Sequence, residues 1–127
     1  MAVKFLSEEW AAAVKAALNE DAEFKQASLG KKASIQQVIS GPDGQTDYWI
    51  RIADGSIDMG LGDAADPDAT VTQSYETAAA LAKSEISAVT AYMTGKIKIG
   101  GNLGLLLGLQ SVLGRLPAAM ATIETDY

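Results

Sequence analysis

The sequence predicts an α+β domain in which a five-stranded, mostly antiparallel sheet is covered on one face by helices. Apolar residues recur with helical spacing near both ends of the chain, and they alternate with polar residues through its middle. At 127 residues the chain has the length of one domain, so we expect residues 1–127 to share one core. Apolar residues make up 48% of the sequence and charged residues 20%, a balance typical of a folded protein.

The first element is predicted to be a helix that starts after Ser7 and runs to about Asn19. Serine is a good N-cap, and the two glutamates that follow it are favoured by the helix dipole. Apolar side chains then recur every three to four residues, at Trp10, Val14, Ala17 and Leu18. A second short helical piece is expected over 21–29, with Gly30 ending it.

Four consecutive strands are predicted to follow as an antiparallel meander: residues 33–40, 46–53, 57–61 and 69–72. Turns rich in glycine, proline and aspartate separate them. Alternating side chains give the second and third strands one apolar face each, formed by Tyr48, Ile50, Ile52, Ile57, Met59 and Leu61. The meander is therefore expected to bury one face.

The second half of the chain is predicted to be mainly helical. Helical segments over 75–83 and 87–94 are expected, with Gly95 closing the second. A fifth strand over 96–99 precedes a leucine-rich helix from about 102 to 113. Pro117 suits the first turn of a last helix.

The leucine-rich helix has more apolar residues than one buried face can use. From Leu103 to Leu109 no residue is polar, so a partner, a membrane or an apolar ligand must cover the rest. The net charge of −6 argues against nucleic acid and against an anionic membrane surface, so membrane contact is expected to be transient at most. Gln110, Arg115 and Pro117 interrupt the run too early for a membrane span.

Gly100, Gly104 and Gly108 recur every four residues and predict a groove on one face of this helix. Either a neighbouring element or a ligand chain could lie in that groove. The sequence leaves both interpretations open.

The composition argues against an enzyme. The chain has no histidine and no cysteine, which removes the most frequent acid–base group and the thiolate ligands of metals. The segment 60–65 matches Gly-x-Gly-x-x-Ala, but a hairpin strand precedes it and Pro67 follows where a helix should run. We therefore expect no catalytic residues, no metal and no cofactor.

The absence of cysteine and of a visible leader is compatible with a cytoplasmic protein.

The block from Met93 to Gly104 is the most distinctive part of the sequence: a helix ending in glycine, then Lys-Ile-Lys-Ile, Gly-Gly-Asn and a leucine helix. Together with the strand 48–52, Asp54-Gly55 and the strand 68–72, it resembles the sterol carrier protein 2 domain family. That resemblance implies a five-stranded sheet covered by helices, with an apolar tunnel between them. It also implies binding of sterols, fatty acids, fatty acyl-CoA or related lipids, with no chemistry performed by the fold itself.

We therefore predict binding, with transfer as an extension, of a lipid or acyl-CoA ligand between the inner sheet face and the leucine helix. Gln110 would anchor a polar group, and the last helix would close one mouth. The predicted ligand-binding residues are Ile50, Ile52, Met59, Leu61, Leu103, Leu106, Leu107, Gln110, Leu113, Leu116 and Met120. The alternative is a non-catalytic interaction or oligomerisation module, such as a homodimer, that uses the leucine-rich C-terminal helices.

Overall fold

The computed structural model describes residues 2–42, 44–83 and 85–126, apart from the side chains of residues 88, 89, 110 and 111. The helices are α1 (Glu8–Glu20), α2 (Ala22–Ser28), α3 (Tyr75–Ala82), α4 (Ala88–Met93), α5 (Leu103–Gly108), α6 (Gln110–Leu113) and α7 (Arg115–Ala121). The strands are β1 (Val3–Lys4), β2 (Lys32–Gly41), β3 (Gly44–Ala53), β4 (Ser56–Leu61), β5 (Ala69–Ser74), β6 (Ile97–Gly101) and β7 (Thr125–Asp126).

The main sheet has five strands in the order β4-β3-β2-β5-β6, which confirms the predicted fold class. The prediction of a four-strand meander is wrong. β5 does not pair with β4; it crosses to the far side of β2 and pairs with it in parallel, with Ala69 opposite Ile35. The other three pairings of the sheet are antiparallel. β1 and β7 form a separate parallel pair that the sequence did not indicate.

The outer edge of β4 is covered by α1. The side chain of Asn19 accepts a hydrogen bond from the Ile57 N–H at 2.9 Å and donates one to the Ile57 carbonyl at 3.0 Å. Both free backbone groups of that edge residue are thereby paired. The other edge of the β2–β3–β4 unit, on β2, pairs with β5.

Local hydrogen bonds fix the start of the helices near the positions predicted. The Ser7 hydroxyl accepts from the Trp10 N–H at 3.2 Å and begins α1. Asp21 ends α1 and begins α2, because its carboxylate accepts from the N–H groups of Glu23 and Phe24. The same carboxylate accepts hydrogen bonds from Arg115 of α7 at 2.8 and 3.1 Å, so it joins the two ends of the helical layer.

The two faces of the sheet differ in what covers them. On the inner face, alternate residues of β2 and β3 are buried beneath the helices, for example Ile35 and Ile50, each 1% exposed. On the outer face, the Trp49 ring lies against Gly60, with the Arg51 guanidinium 5.4 Å from the ring centroid. No helix among the described residues is long and apolar enough to cross a membrane.

The leucine-rich segment is two short helices rather than one long one. Asn102 begins α5 by accepting from the Leu105 N–H at 3.0 Å, and α6 follows after a break at Leu109. The predicted three-glycine groove is wrong, since Gly100 belongs to β6. A Cβ added at Gly108 would meet no described atom within 4 Å, so no neighbour needs that glycine for a close approach.

Candidate functional site

A cavity of about 630 Å³ lies between the inner face of the sheet and the helices. This volume falls within the range of about 300–1,000 Å³ that is typical of small-molecule sites. The sheet supplies one wall from alternate residues of four strands, so that every contributing side chain points inward. The residues of this wall are Ile35, Gln37, Tyr48, Ile50, Val71, Gln73, Ile97 and Ile99.

The facing wall comes from helices and the segments between them. The N-terminal part of the chain contributes two aromatic residues, and α3 to α7 contribute mainly small and aliphatic ones. These residues are Phe5, Trp10, Ala78, Leu81, Ala82, Ile86, Ser87, Tyr92, Leu103, Leu106, Leu107, Leu113, Gly114, Leu116, Pro117 and Met120. Among the described residues that line the cavity, none carries a charge.

Seven of the predicted ligand-binding residues line this cavity: Ile50, Leu103, Leu106, Leu107, Leu113, Leu116 and Met120. Ile52, Met59 and Leu61 do not. Ile52 and Met59 are buried on the same face of the sheet, but toward its β4 edge, where α1 packs. Leu61 is 37% exposed at the end of β4. The side chain of Gln110 lies outside the described part of the structure, so its role as an anchor stays a prediction.

The cavity is not closed off from solvent, since several of its lining residues are exposed. Leu107 is 56% exposed and Tyr92 is 43% exposed, although both border the cavity. Leu106 and Leu109 are buried by contrast. The surplus of leucines is therefore divided between the core, the cavity wall and its mouth.

Polar groups also lie in the wall, and none of them is among the predicted ligand-binding residues. The Gln73 amide N–H donates to the side-chain carbonyl of Gln37 at 3.2 Å. The Gln73 Oε1 and the Trp10 Nε1 are buried and have no hydrogen-bond partner among the described residues. Tyr48 is buried too, and its loss of solvation raises the pKa of its hydroxyl.

The sequence does contain a signal for these residues. In β2, Ile35, Gln37 and Ile39 occupy every second position, so Gln37 shares the inward direction of its apolar neighbours. Gln73 follows Ala69 and Val71 in the same way in β5. A polar residue in an apolar register is the pattern that would have identified both.

Comparison with solved structures shows the same fold in several proteins. The conserved hypothetical protein TT1886 of Thermus thermophilus, described as "possibly sterol carrier protein", has a TM-score of 0.84 at 15% identity, with coverage of 98% of this chain and 92% of its own. A crystal structure of sterol carrier protein 2 has a TM-score of 0.81 at 16% identity, covering 94% and 99%. Palmitated SCP2L2 of Aedes aegypti has a TM-score of 0.60 at 20% identity, covering 99% and 100%.

These identities are low, so the structural likeness concerns the fold. A sequence search of curated proteins gives no match. The sequence model of the SCP-2 sterol transfer family matches residues 13–114, which include α1 from its second turn, the whole main sheet and the leucine-rich helices. The chain therefore belongs to the SCP-2 sterol transfer family.

Proposed function

We propose that the protein binds one lipid-like ligand in the 630 Å³ cavity and performs no chemistry on it. The observation that carries this proposal is the lining: aliphatic and aromatic side chains face a space of small-molecule size. Transfer of such a ligand is the role that the family's name suggests. One protein of the same fold, SCP2L2 of Aedes aegypti, was solved in palmitated form.

Burial of hydrocarbon supplies enough free energy for useful affinity. Each methylene moved from water contributes about 0.8 kcal/mol, so a chain of about 15 methylenes contributes about 12 kcal/mol. Association costs at least about 4 kcal/mol in lost freedom, which leaves at most about 8 kcal/mol, an upper limit that corresponds to micromolar affinity. No charged anchor is required to reach that level.

The alternative, an interaction module, is less well supported by the exposure of the leucines. In the segment from Leu105 to Leu109, Leu107 is the only leucine more than half exposed. Leu106 and Leu107 both line the cavity. The leucines thus serve chiefly to line an internal space, with a small apolar rim at Tyr92 and Leu107.

The first prediction tests occupancy of the cavity with a paired substitution. Ala82, 3% exposed, lies in the cavity wall on α3, so Ala82→Phe should fill part of the space and lower affinity for palmitate or cholesterol at least tenfold. Ala12→Phe makes the same change at an exposed position of α1 and should leave affinity unaltered. Native mass spectrometry and a titration of delipidated protein measure both, with the folded state checked by circular dichroism.

The wild-type protein should take up one ligand per chain in a saturable manner. Absence of saturable uptake would contradict the proposal. An obligate oligomer that takes up no ligand would favour the interaction module instead.

A further inference from the structure

We propose that the cavity selects a ligand with an uncharged hydroxyl-type head, bound head-first against four side chains of the wall. We name these residues, Trp10, Gln37, Tyr48 and Gln73, the polar patch. The inference rests on the proposed function and specifies the ligand class for that same cavity. All four residues line it.

The polar patch is continuous across three strands and one helix. Gln37 of β2 lies directly opposite Tyr48 of β3 in the antiparallel register. Gln73 of β5 donates to Gln37 from the other side at 3.2 Å. The Trp10 ring of α1 stands edge-on to the Tyr48 ring, with centroids 5.5 Å apart. A ligand head in this region therefore lies beside polar side chains rather than an entirely apolar wall.

Two atoms of the polar patch, one acceptor and one donor, have no hydrogen-bond partner among the described residues. Gln73 is 8% exposed and its Oε1 has no donor, while Trp10 is fully buried and its Nε1–H has no acceptor. Buried polar groups are normally paired, because an unpaired one keeps the cost of its desolvation. One atom needs a donor and the other an acceptor, and a hydroxyl group can act as either.

A charged head is disfavoured at the same place. No Lys or Arg stands among the described lining residues, so a buried carboxylate would lose its hydration without gaining an ion pair. The raised pKa of Tyr48 reflects the same penalty on negative charge there. A carboxylate is expected to remain at the solvent-exposed mouth beside Leu107 and Tyr92.

The test compares ligands that share one chain and differ only in the head. Dodecan-1-ol, dodecyl methyl ether and dodecanoate would each displace a fluorescent alkyl probe from the protein at pH 8. We expect dodecan-1-ol to bind about tenfold more tightly than dodecanoate, with the ether between them because it only accepts.

Substitution of Gln73 locates the head. Gln73→Met keeps the size of the side chain and removes its acceptor, so affinity for dodecan-1-ol should fall about five- to tenfold, the value of one neutral hydrogen bond. Affinity for dodecanoate should not change. Gln45→Met is the matched control, since Gln45 is exposed on β3 and its side chain bonds only to Asp47 among the described residues. Trp10→Phe removes the donor and should also weaken the alcohol selectively.

Equal affinity of the wild type for alcohol and acid would overturn the inference. So would an equal loss for all three ligands in Gln73→Met. Both results would leave apolar binding intact. Failure of every ligand to displace the probe would instead overturn the proposed function, and the inference with it.

Discussion

At the scale of single residues, Gly60 shows how the outer face of the sheet is built. A Cβ added to Gly60 would lie 2.7 Å from Cζ2 of Trp49, much closer than van der Waals contact allows. The indole that occupies this space also holds the Arg51 guanidinium 5.4 Å from its ring centroid. Glycine is therefore required by the position of Trp49 rather than by the backbone of β4.

Gly60→Ala should lower the free energy of unfolding by about 1–3 kcal/mol, because the added methyl must displace the indole ring. Gly100→Ala is the matched change on the outer face of β6, where a Cβ would meet nothing within 4 Å, and should cost less than about 0.5 kcal/mol. Urea denaturation followed by tryptophan fluorescence measures both. Equal effects at the two glycines would show that Trp49 moves aside without cost.

The residues that begin helices could be predicted from local sequence, whereas the polar residues of the cavity are recognised only from the register of their strands. Ser7 begins α1 because its hydroxyl bonds three residues ahead, an interaction that local sequence determines. Gln37 and Gln73 lie inward because neighbouring strands fix their register. Judged by polarity alone, both would be assigned to the solvent face.

At the scale of elements, Asp21 connects three helices. Its N–H bonds to Leu18 at the end of α1, and its carboxylate begins α2 and receives Arg115 from α7. The Arg115 hydrogen bond is the main reason that the pKa of Asp21 is held below its usual range, with the N–H groups of Phe24 and Glu23 adding to it.

This pKa shift predicts a pH dependence of stability. Because the pKa of Asp21 is lower in the folded state, its contribution is present above the unfolded value of about 4 and is lost as pH falls through the folded value. Asp21→Asn keeps a capping side chain and removes the charge, so its unfolding free energy should decline less than that of the wild type upon acidification below about pH 4.

Urea titrations at a series of pH values test this, with Arg115→Met and the double variant as controls. Arg115→Met should reduce the acid-dependent decline as well, and the two changes should not be additive. A decline in Asp21→Asn as steep as in the wild type would contradict the assignment.

The order of the strands could be predicted only in part. The hairpins β2–β3 and β3–β4 follow from short turns, since Asp54-Gly55 leaves little choice of partner. The loop from residue 62 to 68 is long enough to reach either side of the sheet. The pairing of β5 with β2 joins residues far apart in sequence, such as Ala69 and Ile35, and such distant contacts leave no local pattern in the sequence.

At the scale of the whole molecule, the proposed binding of a ligand in the cavity predicts a gain in stability. A ligand that binds only the folded state adds about 2.7 kcal/mol to the unfolding free energy at a concentration of 100 Kd. Thermal unfolding of delipidated protein should therefore shift upward by several degrees when palmitate or dodecan-1-ol is added. Ala82→Phe should lose most of that shift, whereas Ala12→Phe should retain it. Identical shifts in the two variants would place the ligand outside the cavity.

Among the predicted ligand-binding residues, more of those on the helices than of those on the sheet line the cavity. Leu103, Leu106 and Leu107 were identified because a run of leucines exceeds what one core face can bury. Met59 was predicted to contact the ligand because it lies on the apolar face of its strand. It does not line the cavity, and α1 packs against that strand. The sequence shows which face of a strand is apolar, whereas the three-dimensional arrangement decides which part of that face remains open.

The contact between Asn19 and Ile57 has a further consequence for self-association. An open sheet edge offers unpaired N–H and C=O groups to a strand of another molecule and invites polymerisation. Asn19 occupies these groups at Ile57 on one edge, and the other edge is a five-residue strand that carries the exposed Lys98. Both edges of the sheet thus carry features that oppose strand-by-strand aggregation.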